Sequence, residues 1–74
     1  MENFDHILLF RTDIGTEACK EKLKAILDSY AGIEQWSIDM DDLDCVLRII
    51  SYSITHQEII DLINKHGYFC CELT

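Results

Sequence analysis

The chain has 74 residues, 14 acidic and six basic, for a net charge of −8, and it is 49% hydrophobic against 27% charged. That length allows one small domain over residues 1–74 with a modest core, and the composition is too apolar for intrinsic disorder. The negative charge repels a phosphate backbone or an anionic lipid surface, so neither nucleic acid nor membrane is expected as a partner.

Phe4 to Thr12 reads as a strand that is apolar on both faces through its middle, which suits an interior place in a sheet. Asp13, Ile14 and Gly15 break the run, and Thr16 is a good N-cap for a following helix. Cys19, Leu23, Ile26, Leu27 and Tyr30 form the apolar stripe of that helix. Gly32 is expected to end it as a left-handed C-cap, and Ile33 to Met40 alternates at Trp36, Ile38 and Met40 like a half-buried strand. Asp39 to Asp44 is an acidic turn, after which Cys45 to Ile50 returns as the hairpin partner. Thr55 and Glu58 predict a capping box, with Ile54 and Ile59 at the staple positions. Ile59, Leu62 and Ile63 give the buried stripe until Gly67 stops the second helix. Tyr68 to Leu73 is the last strand.

Strand-helix-strand used twice combines most simply as βαββαβ. The expected class is therefore α+β, a ferredoxin-like sandwich with a four-stranded antiparallel sheet and both helices on one face. This topology brings the end of the first strand, the acidic turn and the start of the last strand to one end of the sheet. Cys19, Cys45, Cys70, Cys71 and His66 should gather there. The longest uncharged apolar run, Ile7 to Phe10, is too short to cross a bilayer. An acidic start, Met1 to Asp5, is unlike a secretory leader, so a cytoplasmic location with reduced cysteines is expected.

The ten residues from Ile14 to Leu23, Ile-Gly-Thr-Glu-Ala-Cys-Lys-Glu-Lys-Leu, are similar to the Met-x-Cys-x-x-Cys-x-x-x-Val of the heavy-metal-associated domain. Gly32 to Met40 resembles that family's Gly-Val-x-x-Val-x-Val-Asp-Leu, and His66-Gly67-Tyr68 resembles its closing Ala-Gly-Tyr. The resemblance runs nearly end to end and implies a copper-chaperone type of module, which grips a soft cation between two thiolates and passes it on. Ile14 stands at the buried methionine and Cys19 at the second cysteine, but Thr16 replaces the first.

Only Cys19 carries over as a metal ligand, and a linear site for monovalent copper needs two soft donors. A threonine hydroxyl is a hard, neutral substitute. His66, at the end of the second helix, and Cys70, on the last strand, are the other candidates for a thiophilic ion of the copper or zinc class. Each also has a plain structural reading, His66 as a helix-terminal residue and Cys70 with Cys71 as packing groups, one core-facing and one on the sheet surface. Cys19 likewise begins its helix's apolar stripe. Cys70 and Cys71 are adjacent on a strand and point to opposite faces, so they do not grip one ion together.

With no glycine-rich phosphate loop and no room to enclose a substrate, an enzyme is the least favoured class. Two readings follow. The first is a non-catalytic domain of the heavy-metal-associated type with weak or vestigial metal binding, serving metal transport or homeostasis. The second is a protein-interaction module without metal, using the open sheet face for a partner or a homodimer, because Ile7 and Leu9 alternate onto the face opposite Leu8 and Phe10.

Overall fold

Hydrophobic alternation and two capped helices set the architecture of the computed structural model, which describes residues 6–73. In chain order the elements are β1 (Ile7–Thr12), α1 (Glu17–Asp28), β2 (Gln35–Asp39), β3 (Val46–Ile50), α2 (His56–Lys65) and β4 (Cys70–Glu72). Phe4 and Asp5, expected in the first strand, lie outside the described residues. The strands form one four-stranded sheet in the order β2-β3-β1-β4, with every neighbouring pair antiparallel. The chain is thus α+β, as expected, with interior strands β1 and β3 and edge strands β2 and β4.

Period-two alternation divides the sheet into two faces. Leu8 stands opposite Ile49 and Phe10 opposite Leu47, and all four are buried. Leu23 and Leu27 of α1 and Ile59 and Ile63 of α2 join them in one core, together with Ile14, Ile54 and Cys70. Burial of each large aliphatic side chain contributes about 1.5–3 kcal/mol. The other face carries Ile7, Leu9 and Arg11 of β1 and Val46, Arg48 and Ile50 of β3, none of them fully buried.

The helices begin as the sequence predicts. Thr16 caps α1, and Thr55 with Glu58 forms a reciprocal capping box on α2. Gly67, at φ 91°, closes α2 in a Schellman arrangement, with Tyr68 N–H donating to Ile63 C=O at 3.2 Å and Gly67 N–H to Asn64 C=O at 3.0 Å.

The end of α1 differs from expectation, because Ser29 and not Gly32 is its C-cap. Ser29 Oγ donates to the carbonyls of Ala25 and Ile26, each at 3.0 Å, and these bonds satisfy the last turn early. Gly32 has a different use. At φ 100° it lies where an added Cβ would meet Ile54 Cδ1 at 3.0 Å, so it brings the loop onto the core beside α2. Strands β2 and β4 are also shorter than predicted, since Ile33 and Tyr68 pack against the core from loops outside the ladder.

Candidate functional site

Two places carry the residues that sequence reading singles out, the end of the sheet where the cysteines were expected and the sheet face opposite the core. The first is organised by Thr12, the last residue of β1, whose side chain is buried. Its hydroxyl donates to Cys45 C=O at 2.7 Å and accepts from Ile14 N–H at 3.2 Å, while its own N–H donates to Asp44 C=O at 3.0 Å. Thr12 therefore pins the acidic turn to the loop before α1. Thr12 also pairs with Cys70, and Phe69 N–H donates to Asp13 Oδ1 at 3.1 Å, which brings the start of β4 to the same end.

Asp39 and Asp42 shape the acidic turn by accepting from the N–H groups two residues on, at 3.1 and 2.9 Å. Cys45 leaves it at φ 45°, an uncommon conformation for a residue with a Cβ. Its thiol faces Gly15, where an added Cβ would lie 3.6 Å from Cys45 Sγ.

Cys19 occupies the first turn of α1, half-buried against the core, and its backbone N–H donates to Thr16 Oγ1 at 3.2 Å. Cys70 is only 4% exposed. Burial first, and Cys71 second, push its thiol pKa up to about 12, so a Cys70 thiolate is disfavoured at neutral pH. Cys71 is half-buried, as expected for the opposite side of the strand, and His66 is an exposed C-cap. Among the described residues no three His, Cys, Asp or Glu side chains are grouped to hold a metal ion. Of the candidate donors, Thr16 is engaged as a cap, burial disfavours ionisation of Cys70, and His66 is exposed.

The uncovered sheet face is the second place. Leu9, on interior strand β1, is 38% exposed and sits across from Arg48 of β3, which in turn faces Ser37 of β2. Gln35, Trp36, Ser37, Arg48 and Ile50 line a shallow hollow of about 200 Å³. Arg11 is tied to Asp44 by an ion pair at 3.2 Å. Arg48 has no ion pair among the described residues.

Edge strand β2 is fastened by Trp36, whose indole N–H donates to Asp28 Oδ1 on α1 at 3.0 Å, while Lys24 Nζ reaches Asp28 Oδ2 at 2.9 Å. The two donors, Trp36 first, hold the Asp28 carboxyl below the usual carboxylate range.

Sequence reading does not anticipate Thr12 or this hollow. The alternation of polar Gln35 and Ser37 with Trp36 and Ile38 is the signal for the polar side of β2, and Arg48 takes its place only once the β2–β3 register is known.

No family model, curated protein or solved structure matches this chain. Among the described residues, no helix is long and apolar enough to cross a membrane.

Proposed function

We propose that this chain is a ferredoxin-like βαββαβ domain of the heavy-metal-associated type that works as a non-catalytic protein-binding module through the uncovered face of its sheet. The order β2-β3-β1-β4, with both helices contributing to one core, supports the ferredoxin-like arrangement. The match of Ile14 to Leu23 to the family's metal loop supports the family reading.

The observation that carries the interaction reading is Leu9, 38% exposed on an interior strand and flanked on its own face by Ile7 and Ile50, neither fully buried. A central strand with an apolar, solvent-facing side chain presents surface that a partner can cover. Metal carriage has less support, since Thr16, at the place of the family's first thiol, caps α1 and Cys70 is buried.

Affinity capture from the source cells, with tagged wild type, Leu9→Glu and Cys19→Ser compared side by side, tests this reading. A partner retained by Cys19→Ser and lost by Leu9→Glu supports it, provided both variants melt as wild type does. A partner that follows Cys19 and ignores Leu9 overturns it.

A further inference from the structure

Arg48 makes the uncovered face chemically specific. Six basic residues stand against 14 acidic ones, and the only two arginines, Arg11 and Arg48, both lie on this face. Arg11 is paired with Asp44 at 3.2 Å. Arg48 is exposed, and it occupies the interior strand between Leu9 on one side and Ser37 on the other, both uncharged. Within the hollow, the Arg48 guanidinium, the Gln35 amide and the Ser37 hydroxyl are three hydrogen-bond donors, and none has a side-chain hydrogen-bond partner among the described residues.

We propose that the partner docks on this face an extended segment carrying an aspartate or glutamate flanked by apolar side chains, and that Arg48 receives the carboxylate. The proposal rests on the sheet face being the interaction surface. A guanidinium presents a planar fork of donors matched to a carboxylate, and in a rim of apolar surface the pair is partly desolvated, which strengthens it. Ile7, Leu9 and Ile50 supply that apolar surface. A neutral or cationic residue at the same place leaves the guanidinium unpaired or repelled, so the preference is one of charge as well as shape.

The test uses the full chain and capped peptides of the form Thr-Val-Thr-X-Thr-Val-Thr, with X as Glu, Gln or Lys, titrated while backbone amide chemical shifts are followed. The expected result is saturable shifts at Leu9, Ser37, Arg48 and Ile50, with the Glu peptide binding about tenfold more tightly than the Gln peptide. Arg48→Gln should erase that preference, and Arg48→Lys should keep part of it. Equal binding of the Glu and Gln peptides at these amides would overturn the carboxylate preference and leave the interaction reading standing. Saturable shifts confined to other parts of the molecule, or none at all, would overturn both.

Discussion

The backbone N–H of Cys19 donates to the hydroxyl of Thr16 at 3.2 Å, and this bond closes the first turn of α1. A threonine oxygen is a strong N-cap and a poor partner for monovalent copper. Thr16→Ala is expected to lower stability by about 1 kcal/mol, with a fall in melting temperature of about 4–8 °C, and Thr16→Ser by much less. Urea denaturation of the three proteins measures this, and an alanine variant as stable as wild type would contradict the capping role.

Thr12 couples three segments through one buried hydroxyl, which donates to Cys45 C=O and accepts from Ile14 N–H. Thr12→Val keeps the shape and removes both bonds, leaving a buried carbonyl and N–H short of a partner. The expected cost is about 1–3 kcal/mol, recovered largely by Thr12→Ser. Because the bonds span the acidic turn, hydrogen exchange at Cys45 and Ile14 should quicken in the valine variant. Unchanged exchange there would show that the turn is held by other contacts.

Cys70 should be the last thiol to react. It is 4% exposed and its pKa is pushed up to about 12, whereas Cys19, Cys45 and Cys71 are partly accessible. Alkylation followed by mass spectrometry should therefore modify those three first, with Cys70 labelled only as the protein unfolds. The same shift fixes the sign of a pH effect. Native Cys70 holds its proton more tightly than the unfolded chain, so its contribution is complete below pH 9.0, the ordinary thiol value, and is lost as pH rises toward about 12. Wild type should lose more stability than Cys70→Ala across that window, and parallel pH profiles would refute the assignment.

Asp28 joins the edge strand to the first helix by accepting from Trp36 and Lys24. Its carboxyl is held below the usual carboxylate range, Trp36 being the first cause, so the stabilisation is present above the unfolded carboxyl pKa. It disappears as pH falls through the lower native value. Trp36 is the only tryptophan, and its fluorescence reports this contact directly. Acid titration should change the emission of wild type before the global transition, and Asp28→Asn should remove that early step.

Much of the fold is legible in the residues because local signals agree with it. The alternation of Leu8 and Phe10 with Leu9 and Arg11, the Thr55–Glu58 box and the Gly67 stop all act within a few residues of chain. The exit of α1 is misread because Ser29 and Gly32 are both capable terminators, and only the packing of Ile54 against Gly32 decides between them. The cysteines illustrate a further limit. Their gathering at one end follows from topology and the cap at Thr16 from its residue type, but which of Cys70 and Cys71 is buried depends on side-chain environment, which spacing alone does not encode. The hollow beside Arg48 was hidden for the same reason, since Gln35, Ser37 and Arg48 become neighbours only through the pairing of β2 with β3.

The most direct test of the account is a monovalent copper titration of the reduced protein against a chromogenic chelator, with wild type, Thr16→Cys and Cys19→Ser in parallel. Wild type and Cys19→Ser are predicted to leave the copper with the chelator, while Thr16→Cys, with two thiols one helical turn apart, withdraws one ion per chain. Withdrawal of copper by wild type with one-to-one stoichiometry, abolished by Cys19→Ser, would contradict the claim that this scaffold works through its sheet face and not through its loop.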